Sequence, residues 1–283
     1  MAYKGRKAVD PHVIMAEVIN AKRVTPNMMR VTLGGDGLAQ FTAAGYDQWF
    51  RLFLTRAGQD MLRLPTRTSG LWYAEYLTTA KARRPWVRNY TVRAARPDLN
   101  EIDVDFVLHG GADEVSADTA EHDSGPGAGF AETADRGMRV GILDQGVAYN
   151  PRHPHDWTLL VADESGLPAV AGICESLSDD ARGIALVEVP TAADKQEFRV
   201  PSGIDLRWVV RSDGDPHAVP GQAALAELRD LDLTGFGSEV YAFTAGESAL
   251  ATGARRHLVN ERGVPKTHVD FVGYWRHGRS SPG

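Results

Sequence analysis

The hydrophobic rhythm of this chain changes once, near Pro151-Arg152-His153-Pro154-His155, and that change limits the folds open to it. Before it, short β-branched or aromatic runs recur at residues 13–24, 29–33, 49–55, 88–93, 101–108 and 138–143, with Gly, Pro, Asn and Asp between them. Six strands before any clear helix predict a small antiparallel six-stranded β-barrel, with a short helix over residues 130–135 near its end. After the prolines, strand-like runs at 157–162, 183–189, 206–211, 239–245 and 268–272 alternate with helical spacing at 165–178, 222–231 and 247–262. Alternation predicts a Rossmann-like parallel α/β sheet with a ligand crevice at the carboxyl ends of its strands. A chain of 283 residues holds two cores, so the expected domains are 1–150 and 151–283.

Charge and side-chain chemistry exclude several functions. With 31 basic against 37 acidic residues and a net charge of −6, the chain lacks the domain-wide basic surface that nucleic acid requires. No segment approaches the roughly 18 apolar residues that cross a bilayer, and no apolar run follows the first ten residues. The expected location is therefore cytoplasmic and the expected state a monomer. Cys174 lies in an apolar helical stretch and reads as a core residue. The nine histidines include no H-E-x-x-H pair, and His153 and His155 sit in the linker, so no protein-bound metal is expected. Gly246-Glu247-Ser248 begins a nucleophile elbow, but Leu250 replaces its last glycine, and Ser165 has Asp163 and Leu167 in the glycine positions. No catalytic dyad emerges.

One stretch carries ligand chemistry. In Arg88-Asn89-Tyr90-Thr91-Val92-Arg93 the strand period places Arg88 and Tyr90 on one face, so one ligand can meet a guanidinium fork and an aromatic ring. Residues 81–96 hold six basic side chains and no acid. A local positive field in an acidic protein points to an anionic ligand. Residues 109–126 instead carry Asp113, Glu114, Asp118, Glu121 and Asp123 among small residues and read as an acidic surface loop.

In the second half, Asp163-Glu164-Ser165-Gly166-Leu167-Pro168-Ala169 is a strand-to-helix turn whose Asp163 or Ser165 caps a helix, with free N–H groups available to an anion. It lacks G-x-G-x-x-G. A second such turn is Ala245-Gly246-Glu247-Ser248. The end of the chain, Gly273-Tyr274-Trp275-Arg276-His277-Gly278-Arg279, leaves the last predicted strand at the carboxyl edge of the sheet.

Together these residues resemble the siderophore-interacting proteins, FAD-dependent ferric-siderophore reductases related to ferredoxin reductases. The likeness runs through Arg88 to Arg93, Val104-Asp105-Phe106-Val107-Leu108-His109-Gly110, the Asp163 turn, Ala245-Gly246-Glu247, Arg255-Arg256-His257-Leu258 and Gly273-Tyr274-Trp275-Arg276. The resemblance implies that Arg88, Tyr90 and Thr91 hold the flavin and its phosphates, with Asp105, His109, Gly110, Gly125 and Pro126 beside them. It implies further that Asp163, Glu164, Ser165, Leu167, Ala245, Gly246 and Glu247 form the NADH or NADPH side. Arg51, Trp275, Arg276 and Arg279 are the candidates for an anionic ferric siderophore. Two departures from the family stand out: the acidic insertion before Gly125-Pro126, and Leu143-Asp144-Gln145-Gly146 where the family carries a basic G-P-R element. Three readings remain open: a ferric-siderophore reductase, an NAD(P)H:flavin reductase with a protein or quinone acceptor, and a siderophore carrier without reductase activity.

Overall fold

Strand β1 (Val13–Thr25) alternates strictly at its start, with Ile14, Ala16 and Val18 inside and Met15 and Glu17 outside. This period of two makes one face of a sheet a core face. The computed structural model describes residues 5–108, 125–233 and 239–279. Within them the chain divides into two compact units, one drawn from residues 7–44 and 48–147, the other from residues 148–279 together with residues 5–6 and the short segment 45–47.

The first unit continues with β2 (Met28–Gly34), β3 (Trp49–Leu54), α1 (Leu71–Thr78), β4 (Trp86–Thr91), β5 (Ala94–Arg96), β6 (Glu101–Val107), α2 (Gly125–Thr133) and β7 (Arg139–Gly146). Its strands pair antiparallel in the order β4-β3-β7-β1-β2-β6-β5. There are seven strands where six were expected, the seventh being the three-residue β5. The sheet curls around one core that takes Val18, Val31, Leu33, Phe50, Leu52, Val104, Phe106 and Ile142 from different strands. Each such side chain contributes roughly 1.5–3 kcal/mol on burial. The ends of the order, β4 and β5, are not paired with each other, so the barrel-like sheet keeps an open edge along β4.

A second cluster lies on the outer face of β3, β4 and β7, where Phe53, Val87 and Leu143 meet Trp72 and Tyr76 of α1. The sequence showed no helix there. Tryptophan and tyrosine are weak helix formers, and α1 is held by the burial of two rings spaced four residues apart. Helix α2 begins earlier than expected, with Gly125 at φ 74 and Pro126 in the first turn, where proline's missing N–H costs nothing.

The second unit comprises β8 (Trp157–Ala162), α3 (Leu167–Ser176), β9 (Arg182–Val189), β10 (Gly203–Val210), α4 (Gln222–Asp230), β11 (Val240–Glu247), α5 (Ser248–Arg256) and β12 (Val269–Trp275). All five strands run parallel in the order β10-β9-β8-β11-β12. Period two divides the side chains between two layers. Leu160, Ala162, Tyr241 and Phe243 share a core with α3, whereas Leu159, Val161, Val240 and Ala242 share one with α4 and α5. Residues on both faces are covered, which explains why these strands read as continuous apolar runs. Helix α5 stops before residue 262, passing at His257–Glu261 into a π turn. Strand order reverses between β8 and β11, which places the expected crevice at Asp163 and Gly246.

Segment 45–47 packs on α3 and on the start of this unit. Tyr46 stacks on Tyr149 at 5.5 Å and its amide donates to Ser176 Oγ at 2.7 Å. The buried carboxylate of Asp47 accepts from the amides of Tyr149 (2.9 Å) and Ala148 (3.2 Å).

Candidate functional site

The pairing of β3 with β4 decides which way each side chain of the arginine motif points. Phe50 lies opposite Tyr90 and Leu52 opposite Arg88, so Trp86, Arg88 and Tyr90 share the inner face of the sheet. Trp49 lies opposite Thr91 and Arg51 opposite Asn89, on the other face. Because β4 is an edge strand, its outer backbone groups have no strand partner and remain available to a planar ligand.

The inner face is a cation site. The Trp86 ring has the Arg56 guanidinium 3.6 Å from its centre and that of Arg88 at 5.4 Å. Arg88 donates to the carbonyl of Val87 at 2.7 Å, and Arg56 to that of Arg84 at 2.7 Å. Among the described residues no carboxylate pairs with Arg56, Arg84 or Arg88. Other arginines behave differently: Arg30 grips Asp105, Arg96 grips Asp103 and Glu101, and Arg152 grips Asp270. Burial pushes the Arg88 guanidinium below its ordinary value, the mark of a cation partly removed from water without a counter-ion. An anion arriving there recovers that loss through two-pronged hydrogen bonding.

Tyr90 packs on Phe106 with ring centres 4.3 Å apart, and burial raises its hydroxyl above the usual tyrosine value. The start of α2 comes directly against it. A Cβ at Gly127 would stand 2.0 Å from the Tyr90 oxygen, so only glycine allows the approach. The glycine-rich first turn of α2 therefore lies beside the Arg88–Tyr90 face. A helix start, a guanidinium without a carboxylate and an aromatic ring together suit a dinucleotide's pyrophosphate and ring system.

On the opposite face, the Arg51 guanidinium lies 4.5 Å from the centre of Trp72 and 5.6 Å from that of Trp49. One of its terminal nitrogens donates to Asn89 Oδ1 at 3.3 Å, while its buried Nε has no protein partner. Burial lowers its pKa also. This is a second half-buried cation without a carboxylate among the described residues.

The crevice of the second unit is organised differently. Asp163, fully buried, accepts from Ser165 Oγ (2.6 Å), Ser165 N (2.9 Å) and Glu247 N (2.6 Å), and so ties the turn before α3 to the turn before α5. Gly246, at φ 135, makes this contact possible, because a Cβ there would lie 2.6 Å from the Asp163 carboxylate. Glu247 caps α5 through Ala249 N and also accepts from His277 N at 3.1 Å. Glu164 pairs with Arg211, which also holds Glu188 at 2.7 Å. Burial first, and then the neighbouring Asp163, raises Glu164 to about 8. Leu167 and Ala245 belong to the core shared with α3. Of the residues expected at the nucleotide, these carboxylates and apolar groups are occupied within the protein; Ser165 and the Gly246–Glu247 backbone line the turns themselves.

At the chain's end, the Trp275 carbonyl accepts from Ser248 Oγ at 2.7 Å, which fastens β12 to α5. Arg276 and Arg279 stand exposed on the following turn, closed by Arg279 N to Arg276 O at 3.1 Å. Asp105 faces Arg30 at 2.6 and 2.8 Å. Asp144, which replaces the family's basic element, is buried and takes bonds from Gln48 Nε2 and Gly146 N, both at 2.9 Å, rather than facing solvent as an acid. His109, Gly110 and the acidic insertion lie outside the described residues. Arg56, Trp86 and Gly127 were not anticipated; the W-x-R spacing that puts Trp86 and Arg88 on one face was the available signal.

An antiparallel unit with a desolvated arginine beside a buried tyrosine, followed by a doubly wound parallel unit, is the architecture of a flavin-dependent oxidoreductase. Residues 17–149 match the siderophore-interacting FAD-binding domain and residues 155–278 the siderophore-interacting protein family. The chain belongs to the siderophore-interacting protein family. It is 28% identical to the ferric vibriobactin reductase ViuB of Vibrio cholerae over 94% of this chain and 90% of that one. It is 24% identical to the NADPH-dependent ferric-chelate reductase of Escherichia coli over 91% of both. Among solved structures, a siderophore utilization protein from T. fusca superposes with a TM-score of 0.76 at 29% identity, covering 96% of this chain and 95% of that one.

Proposed function

We propose that this protein is an FAD-dependent ferric-siderophore reductase that uses NADH or NADPH to convert siderophore-held Fe(III) to Fe(II), releasing the iron. The observation that carries the reading is the pair of half-buried arginines on adjacent strands, Arg88 and Arg51, each without a carboxylate partner among the described residues and each facing a different side of the sheet. A bound flavin supplies acceptance of a hydride and delivery of single electrons, which is the chemistry that nicotinamide and ferric iron need between them. The residues present fit that cofactor, since the desolvated Arg88, the Tyr90 ring on the same face, the glycine-rich start of α2 beside it and the open edge of β4 suit a planar anionic group.

In this reading residues 1–150 form the FAD domain and residues 151–283 the NAD(P)H domain. Arg88 and the first amides of α2, at Gly125 and beyond, neutralise the pyrophosphate, with Pro126 fixing the turn. Tyr90 orients the ring system from the inner face; Thr91, on the other face of β4, is a second proposed contact of the cofactor. Ser165, Gly246 and the Glu247 backbone shape the nucleotide crevice, with Asp163 and Glu164 as its internal braces. Arg51 on the first unit attracts the anionic ferric complex; on the second unit, Trp275, Arg276 and Arg279 are candidates for the same role. The protein works as a monomer in the cytoplasm, where reduced nicotinamide is maintained.

The test is an anaerobic titration followed by visible absorption. NADH or NADPH should bleach the flavin band, and a ferric siderophore should restore it. Restoration by a quinone or a redox protein alone would favour a different acceptor. A bound flavin that neither nicotinamide bleaches would leave only a carrier role, and failure to bind FAD at all would remove the reading.

A further inference from the structure

Helix α1 presents an outer face that its surroundings do not cover. Trp72 and Tyr76 are sunk into the cluster on the outer face of the sheet, so the rotation of the helix is fixed. At 100° per residue, Leu71, Tyr73, Ala74, Leu77 and Thr78 fill one continuous outward arc. Leu71 is 54% exposed, Tyr73 47% and Leu77 48%, and nearby Met61 is 79% exposed. Scattered apolar residues on a surface need no explanation, but a helix face composed of them does. The arc contains no charge. Glu75, the helix's one acid, is turned back to the chain before it, accepting from the amide of Thr66 at 3.0 Å and that of Arg67 at 3.3 Å.

The rim has the opposite character. Arg63 and Arg67 precede the helix and Lys81 and Arg83 follow it, all exposed and none in a salt bridge among the described residues. Asp60 is the exposed acid of this stretch. In a protein of net charge −6, an uncharged apolar arc with four exposed cations in the segments that lead into and out of its helix is the pattern of a helix that lies in a membrane interface, its apolar side among the acyl chains and its cations at anionic headgroups. We propose that α1 and its basic rim form a docking surface for an anionic phospholipid bilayer, bringing the protein reversibly to the membrane. Charge selects this partner: the overall acidity of the chain disfavours an approach to such a bilayer from any side lacking a basic rim. The surface is argued without reference to the redox reaction.

The experiment sediments the full chain, loaded with FAD, with vesicles of phosphatidylcholine alone and with vesicles containing about one-third phosphatidylglycerol. The expected result is at least about tenfold more protein on the anionic vesicles, falling toward the neutral level as salt is raised. Leu77→Glu and the double change Arg63→Glu with Arg67→Glu should each abolish the difference while retaining the flavin spectrum that reports the fold. Equal partition onto both vesicle types, or no sedimentation with either, overturns the proposal. So does a concentration-dependent dimer in sedimentation velocity that Leu77→Glu disperses, since a second copy of the chain would then be the occupant of this face.

Discussion

The position of a Cβ at Gly127 falls 2.0 Å from the hydroxyl oxygen of Tyr90, and the Tyr90 ring cannot retreat because Phe106 stands behind it at 4.3 Å between ring centres. The first turn of α2 and the arginine motif are thus held in one mutual position by the absence of a single methyl group.

Gly127→Ala is expected to push α2 and β4 apart, weakening FAD binding by about tenfold or more and costing roughly 1–3 kcal/mol of stability, as overpacked sites do. Fluorescence titration with FAD and thermal denaturation measure the two. Adding Tyr90→Phe removes the oxygen that the new methyl would meet, so the double variant should recover part of both losses. Strictly additive losses would mean that the contact between these residues is not the cause.

The two arginines should separate binding of cofactor from binding of substrate. Arg88→Ala is expected to weaken FAD by about 10- to 100-fold, the scale of lost charge-assisted hydrogen bonds. Arg51→Ala should leave FAD affinity and the rate of flavin bleaching by NADPH unchanged, while lowering kcat/KM for a ferric siderophore about tenfold or more. Equal loss of flavin in both variants would contradict the assignment of the two faces.

Asp47 supplies a pH dependence whose sign is fixed by its burial. Desolvation first raises its carboxyl from 3.8 to about 6, with the Tyr149 and Ala148 amides pulling back against that rise. Below about pH 4 the group is neutral whether the chain is folded or not, and its contribution to stability is intact. As pH rises through 6 the unfolded chain has already ionised and the folded one must follow, so about 3 kcal/mol is lost by pH 7. Asp47→Asn should flatten the fall in urea stability between pH 4 and 7, at the expense of one amide bond at every pH. An unchanged slope would show that another group carries it.

The strands were legible where side chains follow a simple period, and β8 and β11 could be read because both of their faces are covered and both are apolar. Strand β5 is too short to have a period. Helix α1 was hidden because its stability comes from Trp72 and Tyr76 entering a pocket made by Phe53, Val87 and Leu143, residues far away in the chain. In the site, Arg88 and Tyr90 could be placed on one face from spacing alone. Arg56 could not, since it reaches Trp86 only after the intervening residues fold back. Asp163 shows the limit from the other side. Its position before a helix reads as a cap, and whether such a carboxylate also reaches across to the neighbouring turn depends on Glu247, 84 residues later.

Segment 45–47 makes the order of synthesis differ from the order of assembly. Asp47 leaves the ribosome 101 residues ahead of Ala148, whose amide it will receive, and Tyr46 must wait in the same way for Tyr149. A gene divided at codon 148 would therefore produce an α/β half lacking the two side chains that close over its first residues. Recombination that trades one half of this protein for another inherits the same constraint: the piece that travels with the second half is encoded inside the first.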